Sequence, residues 1–198
     1  MLRSLVGSEM CIRDRKKILA AAGDYCYGID VPDLQTAAVQ ALRKKGLTVA
    51  AAESCTGGLV AARLTEVPGA SSVFGCGIVS YNNTVKAEVL GVDPAIIEQY
   101  TAVSAETAAA MAEAVRKKSG ADIGIGVTGN AGPTASEGQP VGLVFVAVSS
   151  EKYSHVSRLF IDRHDADARN LIRHFAALKA SLERPFIANR PCRERRMK

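Results

Sequence analysis

The stretch from Leu47 to Gly58, LTVAAAESCTGG, predicts the fold and carries the strongest candidate site. Its first six residues, Leu47–Ala52, form a short apolar run that is typical of a buried strand. Glu53–Gly58 follow as a turn of small and polar residues, and Leu59–Thr65 predicts a helix. This order of elements indicates an α/β protein, in which ligands bind at the carboxyl ends of the strands.

The elements on either side continue the pattern. Val31-Pro32-Asp33 opens a helix that ends at Gly46, after a basic last turn. Ser104 is the expected N-cap of a long helix that reaches Lys118, with Gly120 as its stop. The other predicted strands are 72–81, 122–127 and a hairpin of 141–149 and 153–161; the other predicted helices are 84–90, one from 93, and 167–182. Both β-α-β and hairpin connections occur, which predicts a three-layer α/β/α sandwich on a mixed β-sheet.

The composition is that of one globular domain, with 198 residues, 47% hydrophobic and 23% charged. We interpret residues 1–30 as a non-native extension and a linker, residues 31–184 as the folded domain, and residues 185–198 as a basic tail. The net charge of +5 is concentrated in the two ends of the chain, so the domain itself has a slight excess of acid. The sequence therefore does not favour nucleic-acid binding by the core, although the basic ends leave it open for the tails.

The cysteines predict reduced thiols in a cytoplasmic protein. They are odd in number and form no C-x-x-C pair or zinc-site spacing, so no metal site is expected. The sequence has no apolar run long enough for a membrane span. The five are Cys11, Cys26, Cys55, Cys76 and Cys192.

The turn after the first strand offers a nucleophile and an anion site. Ser54 is expected at the carboxyl end of the strand, with the backbone N–H groups of Thr56, Gly57 and Gly58 pointing out of the helix start. Such groups hold a phosphate or a developing oxyanion. The alternative is that the turn only caps a helix. Cys55 is a second, less favoured nucleophile.

Two further loops follow predicted strands. Tyr81 ends the second strand, and Lys86 comes five residues later, where a partly dry pocket would make its amine a base near neutral pH. Thr128 and Gly129 follow the third strand, and the Thr128 hydroxyl could donate a hydrogen bond to a ligand. The alternatives are an exposed lysine with a packed tyrosine, and a plain turn.

Three late arginines, Arg163, Arg169 and Arg173, are candidates for phosphate binding. Arg169 and Arg173 are four residues apart on a predicted helix and share a face. A guanidinium near the start of this helix could bind a phosphate with two hydrogen bonds. The alternative is a solvated helix face.

Four segments together resemble the C-terminal domain of the CinA family, whose stand-alone form is the nicotinamide-nucleotide amidase. They are AESCTGGLVAARLTEVPGAS (Ala52–Ser71), VSYNNTVKAEVLGV (Val79–Val92), AVSAETAAAMAEAV (Ala102–Val115) and DIGIGVTGNAGP (Asp122–Pro133) with the later PVG. The resemblance covers about residues 33–183 in order. It implies hydrolysis of the carboxamide of nicotinamide mononucleotide (NMN), without a metal or other cofactor, to nicotinate mononucleotide and ammonia.

The resemblance also implies roles for particular residues. Ser54 matches the nucleophile, Lys86 and Tyr81 match the lysine and tyrosine of a Ser-Lys-Tyr site, and Thr128 matches the loop hydroxyl. Arg169 is favoured as the functional arginine, although Asp167-Ala168 replaces the Gly-Asp that usually precedes it. Asn130 stands where an apolar residue is usual, and the loop from 134 to 139 is shorter than usual.

The expected partner is a small nucleotide substrate, and no membrane is expected. A homo-oligomer stays open, as does an N-terminal CinA domain that this chain lacks. The alternative function is a nucleotide-binding regulatory domain with little or no catalysis, which the altered loop and the displaced arginine favour.

Overall fold

The computed structural model describes residues 32–163 and 165–181. The expected extension and linker at 1–30 and the expected basic tail at 185–198 lie outside the described residues. Five strands form one mixed sheet in the order β2-β1-β3-β4-β5. The strands are β1 (Val49–Glu53), β2 (Phe74–Val79), β3 (Ile123–Gly129), β4 (Leu143–Ser150) and β5 (Ser154–Phe160).

Helices cover both faces of the sheet, as the sequence predicts. Buried residues of α1 (Leu34–Lys45), α2 (Leu59–Thr65) and α5 (Ala168–Ser181) pack on one face. The other face is covered by a π-helix (Val85–Leu90), α3 (Pro94–Tyr100) and α4 (Ala105–Ser119). A short 3₁₀ turn, Ala70–Ser72, precedes β2. The three-layer α/β/α architecture on a mixed sheet is therefore confirmed.

The strand directions bring three loops to one edge of the sheet. β1 is parallel to both β2 and β3, whereas β3–β4 and β4–β5 are antiparallel. The carboxyl ends of β1, β2 and β3 therefore meet at the same edge. The Ser54 turn, the Tyr81–Lys86 segment and the loop after Gly129 all begin there.

Glycines in β3 allow α4 to lie directly on the sheet. A Cβ at Gly124 would clash with the Ala112 carbonyl oxygen, and one at Gly126 would clash with that of Ala108. The close approach of helix and strand fixes the start of α4, and with it Ala102, against the end of β3.

The helices end at the caps that the sequence predicts, whereas two strands start later than predicted. Asp33 caps α1 by accepting from the Thr36 N–H at 2.8 Å, and Gly46 ends it at φ 63°. β1 starts at Val49 rather than Leu47, because the backbone N–H and hydroxyl of Thr48 donate to the Asp122 carboxylate instead. β2 starts at Phe74 rather than 72, since the 3₁₀ turn occupies Ser72.

Candidate active site

Ser54 is held at the point where β1 stops. Its N–H donates to the Val127 carbonyl of β3 at 2.9 Å, while the Glu53 carbonyl accepts from the Ser80 N–H at 2.8 Å. The chain then turns away through Gly57 at φ 59° and Gly58 at φ 96°, a left-handed backbone that glycine adopts without steric cost. The turn lies between the two neighbouring strands and is fixed on both sides.

The carboxylate of Glu53 lies at the N-terminus of α2 and binds its first N–H groups. It accepts backbone hydrogen bonds from Gly58 at 3.0 Å, Val60 at 3.0 Å and Ala61 at 2.9 Å, and its side chain is buried. A buried carboxylate therefore neutralises the positive end of the helix. No side chain from the N-cap position does so, because that residue is Gly58.

The predicted anion site at this turn therefore has fewer N–H groups for a ligand than expected. The Gly58 N–H is bound to Glu53, and the Gly57 N–H donates to the Ser54 carbonyl at 3.0 Å. The Thr56 side chain is fully buried, and its hydroxyl has no hydrogen-bond partner among the described residues. The expectation that these three N–H groups point out to a ligand thus fails for Gly57 and Gly58, since an internal carboxylate and carbonyl already use them.

Lys86 lies beside Ser54. Its Nζ donates to Ser54 Oγ at 3.3 Å and to the Tyr81 carbonyl oxygen at 3.4 Å. Ser54 is 8% exposed and Lys86 only 1%, so the two polar groups meet in a nearly dry environment. Lys86 is carried by the π-helix, a rare backbone form that is frequent at functional sites. The exposed-lysine alternative is excluded by this burial.

Burial lowers the pKa of the Lys86 ammonium from its ordinary value of 10.5. The cause is desolvation, which disfavours the charged form of a lysine. The Glu137 carboxylate acts in the opposite direction, and Cys55 does so to a smaller extent. The neutral amine that a base requires is therefore present at a lower pH than for a solvated lysine.

Burial acts the other way on the neighbouring thiol. It raises the pKa of Cys55 to about 12, because desolvation outweighs the opposing effect of the Cys55 and Thr56 backbone N–H groups, and the Glu53 carboxylate adds to the increase. Because the thiolate is the nucleophilic form, Cys55 is inert near neutral pH. The structure thus disfavours it as the nucleophile.

A cavity of about 280 Å³ opens beside these groups, and we call it the Ser54 cavity. Its volume is at the lower end for small-molecule sites. Six of the nine predicted site residues line it, whereas Thr56, Gly57 and Gly58 do not. The lining residues are Ser54, Cys55, Tyr81, Asn83, Lys86, Ala102, Val103, Thr128, Gly129, Asn130, Ala131, Gly132, Thr134, Ser136, Glu137 and Arg169.

Tyr81 and Arg169 meet at the mouth of the Ser54 cavity. The Arg169 guanidinium donates to Tyr81 Oη at 2.9 Å and also to the Gly132 carbonyl. Tyr81 is 59% exposed, and its contact with Lys86 is through its backbone carbonyl rather than its phenol. The Tyr81 phenol therefore binds Arg169 and not Lys86, so these contacts do not place it to carry a proton between Lys86 and Ser54.

Thr128 is oriented differently from the expectation. It is buried, and its hydroxyl donates to the Ala102 carbonyl at 2.6 Å. Its proton is therefore already used, so towards a ligand the Thr128 oxygen is an acceptor. Gly129 lies on the cavity wall as the last residue of β3.

The other two arginines have different positions. Arg173 reaches the back of the turn, where it donates to the carbonyls of Cys55 at 3.1 Å and Thr56 at 3.0 Å. It therefore supports the Ser54 turn and does not line the Ser54 cavity. Arg163 pairs with the exposed Asp165 at 3.4 Å, also outside the cavity lining.

Two residues of the site were not singled out by the sequence. Glu53 was assigned only to a turn, and Glu137 only to a loop. Glu53 binds N–H groups only five to eight residues further along the chain, and its place directly after a predicted strand is a signal for it. The partners of Glu137 lie 35 and 54 residues away, so no local signal marks it. Asn130, noted as unusual, holds its own loop: its amide donates to Thr134 and Gln139 carbonyls, and it accepts from the Gly132 N–H.

Metal and membrane features are absent from what is described. Within 32–163 and 165–181, no group of three or more His, Cys, Asp or Glu side chains could hold a metal ion. Across the same residues, none of the helices combines the length and hydropathy that crossing a bilayer requires.

The fold and the site define an α/β/α domain with a buried Ser–Lys pair at the carboxyl ends of its parallel strands. Residues 32–183 match the family described as the CinA C-terminal domain, and the chain belongs to this family. A competence-damage inducible protein of Caldanaerobacter subterraneus is 40% identical over 178 residues, which are 88% of this chain and 43% of that protein. A protein of the same description from Desulforudis audaxviator is 46% identical over 147 residues, 74% of this chain and 36% of that protein.

Solved structures agree with this assignment. The competence/damage inducible protein CihA from Agrobacterium tumefaciens is 34% identical, with a TM-score of 0.69, and the match covers 78% of this chain and 94% of that one. A CinA superfamily protein from Escherichia coli is 25% identical with a TM-score of 0.70, over 81% and 94% of the two chains. The chain spans less than half the length of the curated relatives it matches.

Proposed function

We propose that this domain is an amidohydrolase that converts NMN to nicotinate mononucleotide and ammonia. The observation that carries the proposal is the 3.3 Å contact between Lys86 Nζ and the buried Ser54 Oγ. An amide is a poor electrophile, so its attack needs an activated hydroxyl, and a base within hydrogen-bond reach supplies one. The family resemblance supports the choice of the nicotinamide amide as the substrate.

The first half of the reaction forms an ester. Neutral Lys86 accepts the Ser54 proton as Oγ attacks the carboxamide carbon, and the carbonyl oxygen becomes an oxyanion. The Lys86 ammonium then gives its proton to the departing nitrogen, and ammonia leaves as the carbon–nitrogen bond breaks. Direct transfer between Lys86 and Ser54 needs no relay through the Tyr81 phenol.

The second half regenerates the enzyme. Lys86, neutral again, takes a proton from water, whose oxygen attacks the ester carbon. The bond to Ser54 Oγ breaks, the serine recovers its proton from Lys86, and the nicotinate product leaves. The overall balance is one amide and one water consumed, and one carboxylic acid and one ammonia formed.

We assign groups to the two negative charges of the reaction, the oxyanion that develops and the 5′-phosphate that binds. The N–H groups of Cys55 and Thr56 are bound to neither the Glu53 carboxylate nor the Ser54 carbonyl. They face the Cys55 thiol, whose pKa they lower, and we assign them to the oxyanion, which would replace the thiol as their acceptor. Arg169, at the mouth of the Ser54 cavity, is assigned to the 5′-phosphate. Its guanidinium would then exchange its hydrogen bonds with Tyr81 and Gly132 for phosphate oxygens.

An ammonia-release assay with NMN, nicotinamide and NAD tests the proposal. We expect turnover of NMN, and much slower turnover of nicotinamide, which lacks the ribose phosphate. Lys86→Met should abolish the activity, whereas Lys118→Met, a matched change on the exposed end of α4, should keep it. Tight binding of NMN without ammonia release would contradict the proposal and favour the nucleotide-binding regulatory alternative.

A further inference from the structure

Glu137 bridges the walls of the Ser54 cavity. Its Oε2 accepts from the Ala102 N–H at 2.7 Å, and its Oε1 accepts from the Asn83 amide at 3.4 Å. These partners come from the connection between α3 and α4 and from the segment between β2 and the π-helix. One carboxylate thereby joins three separate parts of the chain at the cavity.

The backbone at Glu137 belongs to a tight two-residue turn, which Ser136 and Gln139 close with a pair of backbone hydrogen bonds. The φ of Glu137 is 51°, as a turn of this kind requires at both of its central positions, although such a conformation is uncommon for a residue with a side chain. The next residue, Gly138 at φ 73°, adopts a similar conformation without steric cost. The turn therefore explains the backbone of Glu137, and the hydrogen bonds to Ala102 and Asn83 explain where its carboxylate lies.

The charged side chains around the Ser54 cavity are of both signs. Its lining contains two cationic side chains, Lys86 and Arg169, and one anionic side chain, Glu137. A carboxylate has about four acceptor positions, and two protein donors leave capacity for a ligand. The Glu137 carboxylate also acts electrostatically on Lys86, so its field reaches the reacting groups.

The substrate of the proposed reaction carries charges of both signs. NMN has a phosphate, which matches Arg169, and a pyridinium ring with a permanent positive charge, which neither cationic side chain can stabilise. We propose that Glu137 is a specificity-determining residue whose carboxylate recognises the positive charge of the pyridinium ring. The inference rests on the proposed function for the identity of the ring, and it defines the substrate class as amides on cationic heteroaromatic rings.

The test compares two ligands that differ in ring charge. One is NMN, and the other is its neutral C-nucleoside analogue, in which a benzamide ring replaces the nicotinamide ring. Dissociation constants are measured by calorimetry in the full chain carrying Ser54→Ala, with and without Glu137→Gln. Glu151→Gln is the matched control, since it removes the same charge at the β4–β5 hairpin, at the opposite edge of the sheet.

We expect Glu137→Gln to weaken NMN binding roughly fivefold and to leave the neutral analogue nearly unchanged. Glu151→Gln should change neither. Glu137→Asp, which keeps the charge on a shorter side chain, should retain part of the preference for NMN. An equal loss for both ligands would overturn the inference, because it would mean that Glu137 only holds the cavity together.

The outcomes separate the two proposals. Ammonia release from NMN together with ring-charge-independent binding would refute the role of Glu137 and leave the amidase intact. Ring-charge-dependent binding without ammonia release from the wild type would refute the amidase and leave the recognition of a cationic ring.

Discussion

The Lys86 amine on the π-helix lies 3.3 Å from the Ser54 hydroxyl at the end of β1, although 32 residues separate them in the chain. The two come together because β1 and β2 are parallel neighbours, and Ser54 and Lys86 both follow the carboxyl ends of those strands. The pH dependence of the activity, the stability of the fold and the effects of the two arginines should all depend on this contact and on the groups that hold it in place.

The activity should depend on the protonation of Lys86. Since burial lowers its pKa below 10.5, we expect kcat/KM for ammonia release to rise with pH along a limb whose midpoint is below that value. The Glu137 carboxylate raises the Lys86 pKa, so Glu137→Gln should move the limb to lower pH. A pH–rate profile for both proteins checks this, and a shift to higher pH in the variant would contradict it.

Replacing Lys86 should stabilise the fold while it removes activity. A buried ammonium is costly, so Lys86→Met should raise the midpoint of thermal unfolding near pH 7 by about 3 °C. Below the Lys86 pKa of the folded protein, both the folded and the unfolded states hold the proton, and the free-energy cost of burying the ammonium is at its full size. As pH rises from there towards 10.5 the folded state has released a proton that the unfolded state still binds, so the wild type gains stability.

The stability advantage of Lys86→Met over the wild type should therefore decrease as the pH increases. Melting curves at several pH values measure it, with Lys118→Met as the control for an exposed lysine. A variant that is less stable than the wild type at every pH would contradict the account of a costly buried amine.

Cys55 should behave as a structural residue. Its pKa of about 12 leaves almost no thiolate at pH 7.5, so iodoacetamide should label it far more slowly than the partly exposed Cys76. Peptide mapping by mass spectrometry distinguishes the two sites. Cys55→Ala should retain activity within about fivefold, and a loss as large as that of Ser54→Ala would restore the thiol as a candidate nucleophile.

Arg173 and Arg169 should affect different kinetic constants. Arg173 holds the Cys55 and Thr56 carbonyls and acts as a positioning residue, so Arg173→Met should lower kcat roughly 10- to 100-fold with little change in KM. Arg169→Met should instead raise KM for NMN, because the proposal assigns its guanidinium to the phosphate. Steady-state kinetics of the two variants decides the assignment, and the reverse pattern would exchange the roles.

Much of this arrangement could be predicted because it depends on local signals. Asp33 and Gly46 mark the ends of α1, and Ser104 and Gly120 mark those of α4, since capping and left-handed stops are encoded within a few residues. The meeting of Ser54 and Lys86 followed from one topological rule, that parallel strands end at the same edge.

The remaining features depend on contacts between distant residues. Glu137 gains its position from Ala102, 35 residues away, and Arg173 from Cys55, 118 residues away. Glu53 could not be recognised for another reason: its partners are close in the chain, but its sequence context would be the same if it were a plain turn residue. The segment 84–90 spans less than two helical turns, so its apolar pattern could not distinguish a π-helix, with its i→i+5 hydrogen bonds, from an α-helix.

The central claim is that the Ser54 hydroxyl attacks the carboxamide, and kcat/KM for ammonia release from NMN by Ser54→Ala tests it most directly. The account predicts a loss of at least about 1,000-fold relative to the wild type, with circular dichroism unchanged. Ser71→Ala, a matched change at the exposed turn before β2, should keep the wild-type value. A Ser54→Ala variant that retains activity within about tenfold of the wild type would contradict the claim.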